Sequence, residues 1–342
     1  MLKYKRGRTR EKGTPFCYSR HFKKNMIKWQ KYNKKVEEAR KMKNLKIIII
    51  ILLIIIGIAL AIASYFLFID IQSKLPKNLK SDYQIEIKKY SDRNVFIINQ
   101  KDKQNQKHII YLHGGSYVGG IEEYHWKFIE DIIQDTEYSV IVPDYPLAPK
   151  YTYKEVFEMI VPLYTDIIQE INPENLILMG DSAGGGIALA LEQRVGELGL
   201  EMPEQLLLIS PWLDTTMSNP KIDEVQKLDK ELNKETLKAA GMAYARRDNL
   251  EDHFGDGAKN YLVNPIDGPV KNLKNVTIFT GTHDILNPDV HVFVDKAKQQ
   301  GIEINVEEYE GSGHIWIVDE NRNEGKAKEA YEQLVEKMAK ST

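Results

Sequence analysis

The hydrophobic pattern divides the chain into stretches of unlike character. From Ile47 to Ile69 the sequence IIIIILLIIIGIALAIASYFLFI runs for 23 residues without a charge. A helix of that length reaches about 35 Å, enough to cross a bilayer core. Residues 70–82 are polar, contain Pro76 and show no apolar period, so they read as a tether. Alternation begins after them. YQIEIKKY (83–90) and NVFIINQ (94–100) read as two strands joined by the turn-prone Ser91-Asp92-Arg93-Asn94. HIIYLHGG (108–115) is apolar on both faces and reads as a central strand. YSVIVPDY (138–145), NLILMGDS (175–182), QLLLISPW (205–212), NVTIFTGTHD (275–284) and INVEEYEGSGH (304–314) supply five more.

Helical periods lie between and after the later strands. Residues 183–198 bring Ile187, Ala188, Leu191, Val195 and Leu198 to one face, and 324–340 do the same with Ala327, Tyr331, Leu334, Val335 and Met338. Strands alternating with helices predict an α/β fold: a mainly parallel eight-stranded sheet over 83–342 with helices on both faces, preceded by one transmembrane helix. Ligands in such sheets bind beyond the carboxyl ends of strands, which directs attention to the residues just past each one. Residues 217–262 break the rhythm with a charged, helix-prone segment, either a cap insertion over those strand ends or an ordinary crossover helix.

Charge sharpens this division. Residues 1–46 carry 17 Lys and Arg against 3 acidic residues, 47–69 carry none, and 70–342 carry 30 basic against 46 acidic. The net charge of −2 therefore conceals a basic head (1–46), an apolar bar (47–69) and an acidic body. Lys34, Lys35, Arg40, Lys41, Lys43 and Lys46 flank the bar on one side, and only Lys74, Lys77 and Lys80 on the other. The positive-inside rule then places the head in the cytoplasm and the body outside it. Ala61-Ile-Ala63 resembles a signal-peptide cleavage site. The apolar run continues past it and the head is longer than a usual n-region, so an uncleaved signal anchor is expected. Topology signalling and contact with anionic lipid account for the basic head, which has no nucleic-acid-binding motif. The lone Cys17 lies in the head, so the body forms no internal disulfide and depends on its core. The Lys, Ile and Asn bias suggests an AT-rich, bacterial genome.

Candidate chemistry centres on MGDSAGGGI (179–187). Gly180-Asp181-Ser182-Ala183-Gly184 fits G-x-S-x-G between a strand and a helix, where a sharp turn exposes a strained serine. The helix N-terminus adds free N–H groups where an oxyanion would form. A phosphate-binding loop would end in Lys followed by Ser or Thr, and this segment does not. His113-Gly114-Gly115-Ser116 ends the third strand and can present further backbone donors; His113 reads as an organiser of that loop. A serine nucleophile needs a base, and the base an orienting carboxylate. His314 follows the last strand in the short loop EGSGHIW, and Asp284 follows the seventh in FTGTHDIL. Asp289 is a weaker rival to Asp284. His125 and His291 read as packed or exposed helix residues, and His283 as a neighbour pointing away.

HGGSYVGG, DYPLAPK, GDSAGG, SPWLD, GTHDIL and GSGH occur in this order over roughly 108–320. In these motifs the chain resembles the hormone-sensitive-lipase-like branch of the α/β-hydrolases, the "alpha/beta hydrolase fold-3" esterases. The resemblance implies an esterase, lipase, deacetylase or lactonase that needs no metal or organic cofactor. It implies Ser182 as nucleophile, Asp284 as acid and His314 as general base. Gly115, Ser116 and Ala183 would supply the oxyanion hole, with Gly114 shaping the loop and Asp144 and Pro149 bracing it. Two departures stand out: Ser116 replaces the third glycine of H-G-G-G, and N-terminal cap helices are missing from the dozen polar residues before the first strand. The expected protein is a membrane-anchored serine ester hydrolase acting on a small-molecule or lipid-like ester. A peptidase or lactonase of the same fold, or an inactive surface binding module, remain as alternatives. The motifs leave the acyl length, the alcohol part and the oligomeric state open.

Overall fold

A computed structural model describes residues 18–68, 72–101, 107–246, 260–319, 322 and 324–340. Cys17 and His253 lie outside the described residues. The chain divides into two compact units, Met1–Leu67 and Phe68–Thr342.

The first unit consists, where described, of helix α1 (Tyr18–Phe68). Residues 47–60 are exposed throughout, although all are apolar. A run of exposed Ile and Leu contrasts with the one-sided stripe of a helix on a soluble core. Among the described residues this is one helix long and apolar enough to cross a membrane.

The second unit is a mixed sheet with helices on both faces. Its eight strands are β1 (Tyr83–Tyr90), β2 (Arg93–Gln100), β3 (His108–Leu112), β4 (Ser139–Pro143), β5 (Leu176–Asp181), β6 (Gln205–Ile209), β7 (Val276–Gly281) and β8 (Ile304–Tyr309). They lie in the order β1-β2-β4-β3-β5-β6-β7-β8. The β1–β2 and β2–β4 pairings are antiparallel and the remaining five are parallel. The hairpin turn is Ser91-Asp92, both with positive φ (48° and 61°), which suits the twist of a tight two-residue connection.

β3 through β7 are buried along nearly their whole length, because helices cover both faces. On one face Val156, Ile160, Ile187, Leu191, Val290 and Phe293 pack with Leu178 and Leu208. On the other, Phe128, Ile129, Ile132, Leu334 and Met338 pack with Ile177, Met179 and Leu207. Those faces belong to helices α3 (Glu123–Thr136), α4 (Tyr153–Glu170), α5 (Ser182–Glu197), α8 (Asn287–Gln299) and α9 (Gly325–Ala339). Capping boxes at Glu122/His125 and Thr152/Glu155 fix where α3 and α4 start.

One region carries more structure than its composition predicts, and a second holds the helices its charged pattern suggests. Within the stretch expected to be a polar tether, Lys77–Asp82 forms the short helix α2, with Leu79 buried against Trp126 and its neighbours. The Ser73 N–H donates to Asp144 Oδ2 (3.0 Å), and the Ser73 hydroxyl accepts from the Ile121 N–H (2.9 Å). One buried leucine and two hydrogen bonds suffice to dock a segment with no apolar period. Residues 217–246 hold two short helices, α6 (Ile222–Val225) and α7 (Lys234–Ala245). Tyr244 of α7 stacks on Tyr117 with ring centroids 3.8 Å apart.

Candidate active site

Ser182 begins α5 immediately after β5, with φ at +51°. A non-glycine residue takes this left-handed conformation at a cost of order 1–3 kcal/mol, which the surrounding structure must hold in place. The holding contacts explain the motif. A Cβ on Gly180 would sit 2.5 Å from the Gly184 carbonyl oxygen, and one on Gly184 would overlap the Leu112 carbonyl oxygen. Strand and helix can pass this closely only if both positions are glycine. The Trp212 N–H donates to the Ser182 carbonyl (2.9 Å) and ties the turn to the end of β6.

Two distant loops converge on the serine. The His314 ring lies with Nε2 2.9 Å from Ser182 Oγ and Nδ1 2.8 Å from Asp284 Oδ2. All three side chains are at least nine-tenths buried. Asp284 is held by the Leu286 N–H on Oδ1 (2.9 Å), and the His283 N–H donates to the Ser312 carbonyl (3.0 Å), joining the two loops. Burial pushes the His314 imidazole down, but the Asp284 charge and hydrogen bond, with Asp181 and Glu231 adding to them, more than reverse it. The ring therefore titrates above its ordinary 6.5. An imidazole linking hydroxyl and carboxylate can take the hydroxyl proton through Nε2 while the carboxylate holds the opposite N–H.

The HGGS loop lies against the serine: a Cβ on Gly114 would come 3.1 Å from Ser182 Cβ. The Gly114 N–H donates to Asp181 Oδ1 (2.9 Å), which fixes the loop at this point. The N–H groups of Gly115, Ser116 and Ala183 have no protein acceptor among the described residues. Ser116 and Tyr117 have φ of 55° and 64°. The turn is closed by Val118 and Gly119 N–H groups donating to the Gly115 carbonyl (3.0 and 2.8 Å). DYPLAPK meets it from outside: the Tyr145 hydroxyl donates to the His113 carbonyl (2.5 Å) and the Ala148 N–H to the Tyr117 carbonyl (2.9 Å). Buried Arg93 donates to the Asp144 and Tyr145 carbonyls (2.8 and 3.1 Å).

Sequence reasoning missed Asp181, the x of G-x-S-x-G. Besides Gly114 it accepts from the Tyr111 hydroxyl (2.5 Å) and approaches His125 Nε2 at 3.5 Å. Burial pushes this carboxyl up, and the His125 ring with the Tyr111 hydroxyl outweighs it, leaving the group below the usual carboxylate range. A polar residue directly before the serine was the only available signal. His125 is fully buried, and its Nδ1 accepts the Glu122 N–H (3.0 Å). Nδ1 of His113 meets the Gly114 carbonyl (2.7 Å), and burial and the nearby His125 depress its pKa to about 3. It organises the loop and cannot serve as a base whose protonation changes near neutrality. Asp289 accepts from the Asn219 amide (2.9 Å) rather than meeting His314; burial raises it to about 7. His291 pairs with Glu308 on the surface (2.7 Å). The described residues hold no cluster of three or more metal-ligating side chains.

Residues 109–318 match the family model described as alpha/beta hydrolase fold. The chain belongs to this family, in its hormone-sensitive-lipase-like branch. It is 33% identical over 204 residues to an esterase of Acinetobacter venetianus, covering 59% of this chain and 65% of that one, just under two thirds of the relative's length. An acetyl-hydrolase of Streptomyces hygroscopicus is 24% identical over 215 residues, covering 63% of this chain and 69% of the relative. The crystal structure of an esterase/lipase from an uncultured bacterium superposes with a TM-score of 0.67 at 26% identity, over 79% of this α/β-hydrolase chain and 87% of the other. The match to the family model begins at β3 and leaves α1 outside it.

Proposed function

We propose that this α/β-hydrolase is a single-pass, membrane-anchored serine carboxylic-ester hydrolase. The observation that carries the reading is the unbroken Ser182–His314–Asp284 hydrogen-bonded chain at a strained strand-to-helix turn. The esterase and acetyl-hydrolase names of its relatives support an ester substrate. Ser182 Oγ attacks the ester carbonyl as His314 Nε2 takes its proton. Asp284 keeps the Nδ1 proton directed and stabilises the imidazolium. The developing oxyanion meets the N–H groups of Gly115, Ser116 and Ala183, aided by the N-terminus of α5; one such donor is worth about 10²–10³ in rate. The imidazolium then protonates the leaving alcohol. Water, activated by the same ring, hydrolyses the acyl-enzyme.

In this reading residues 1–46 are a cytoplasmic head, 47–69 the membrane span, 70–82 the connection and 83–342 the catalytic domain, with 217–262 its cap. The stack of Tyr244 on Tyr117, beside the HGGS loop, supports a cap assignment for the described part of that segment. The test of the chemistry is labelling of the full chain in detergent by a fluorophosphonate probe, followed by hydrolysis of an acyl-length series of esters. Wild type is expected to label and turn over, and Ser182→Ala to do neither; full activity in that variant would sink the mechanism. Topology is tested with Cys17, the single cysteine of the sequence. A membrane-impermeant maleimide should label it only after intact cells are lysed, and labelling from outside would reverse the orientation.

A further inference from the structure

We infer that Glu231 selects esters whose alcohol part carries a positively charged, ammonium-type group. This rests on the ester-hydrolase reading above and names the substrate class for that site. His314 Nε2 must hand its proton to the leaving alkoxide, so the alcohol part of the ester lies against the loop that carries His314. Glu231 stands over that loop: its Oε1 is 3.0 Å from where a Cβ on Gly313 would lie. It belongs to the turn between α6 and α7, and Asp229 fixes that turn. Asp229 Oδ1 accepts the N–H groups of Glu231 and Leu232 (both 2.8 Å), while its Oδ2 accepts the Ile285 N–H (2.9 Å) next to Asp284.

The two acids of this turn therefore differ in what they do. The Asp229 carboxylate is engaged by three backbone donors and holds the turn to the Asp284 loop. The Glu231 carboxylate is exposed, and among the described residues no cation pairs with it. Burial of part of the side chain raises its carboxyl; the His314 ring draws it down, and the like charges of Asp229, Asp319 and Asp284 add to the rise, so the net shift is upward. A ligand cation would relieve that repulsion. The whole body points the same way, with 46 acidic against 30 basic residues over 70–342, a field that concentrates cations and repels anions. An alcohol part bearing phosphate or carboxylate would meet repulsion where an ammonium group meets attraction.

The experiment compares acetylcholine, the acetate ester of choline, with its uncharged isostere 3,3-dimethylbutyl acetate, using the full chain in detergent. The expected kcat/KM ratio, charged over neutral, is about fivefold at low ionic strength, the size of one partly exposed ion pair. It should shrink in high salt. Glu231→Gln should bring the ratio to about one, and Glu231→Lys should invert it. A purely structural role for Glu231, or an effect through His314 basicity, would change both esters alike and leave the ratio standing. Equal turnover of the two esters by wild type, or a ratio unchanged in Glu231→Gln, overturns the inference and leaves the esterase reading intact. Turnover of neither ester also overturns the inference, and the esterase reading then stands or falls on the fluorophosphonate labelling and the acyl-length series.

Discussion

Two buried carboxylate–imidazole pairs stand at the carboxyl ends of the sheet, Asp284 with His314 and Asp181 with His125. Both couple one Asp to one His with almost no solvent access, yet their remaining atoms face different partners. The second nitrogen of His314 meets a hydroxyl at 2.9 Å. The second nitrogen of His125 is occupied by the Glu122 N–H that starts α3. Asp181 is further engaged by Gly114 and Tyr111. Residue type and burial are shared, so neither identifies a reactive group. What separates reactive chemistry from architecture is whether the last atom in the chain is free to exchange a proton.

The largest test of that contrast is Ser182→Ala, which removes the hydroxyl. The expected loss in kcat is about 10⁵–10⁶-fold, read in a burst-free ester assay, with the melting temperature nearly unchanged. Asp284→Asn should lower kcat about 10⁴-fold, because the imidazole loses its charged partner and its directed tautomer. Asp181→Asn keeps an acceptor for the Gly114 N–H, and its rate loss should stay within about tenfold. Asp181→Ala leaves the Gly114 and Tyr111 donors unpaired and should destabilise the fold by about 1–3 kcal/mol, seen as a lower denaturation midpoint. A 10⁴-fold rate loss in Asp181→Asn would erase the distinction between the pairs.

The pH dependence sharpens it. His314 must be neutral to accept the serine proton, so kcat/KM should rise with pH through the His314 pKa, which lies above 6.5. Removing the Asp181 charge should move that acid limb to lower pH, since Asp181 helps hold the ring protonated. The smallest effect concerns a third buried acid. Glu192 of α5 has no imidazole beside it; burial raises it from 4.5 to about 8, against the smaller opposing pull of the Lys274 charge and backbone N–H. The unfolded chain ionises this group at lower pH than the folded one, so its contribution to stability falls as pH rises from about 4.5 to about 8. Glu192→Gln should therefore stabilise the protein at pH 8 relative to pH 5, by about 1–3 kcal/mol, as differential melting temperatures would show.

Most of the fold was legible because its signals are local. Alternation in 83–90 and apolar runs such as 176–181 mark strands whose bounds the structure shifts by a residue or two. The 187/191/195 spacing marks the buried face of α5. G-x-S-x-G, HGGS and the two late loops likewise announce themselves as short strings. Less legible were contacts made by one residue at a time. Leu79 docks α2 without any apolar period, and Asp181 reads in sequence as the interchangeable x of a motif. Asp229 and Glu231 are two acids in one charged turn, and composition cannot assign one to backbone donors and leave the other free.

By itself the sequence determined the apolar span, the charge asymmetry around it, the order of strands and helices, and which residue types follow each strand. Those properties depend on spacing and side-chain chemistry along the chain, and both are written in the string. Only the tertiary structure decided that His314 Nε2 reaches Ser182, that the Gly114 N–H turns to Asp181 and away from an oxyanion, and that Glu231 stands over the histidine loop. Ser182 and His314 are separated by 132 positions, and their meeting at 2.9 Å follows from parallel strand register and loop closure. Periodicity does not encode distances across a sheet.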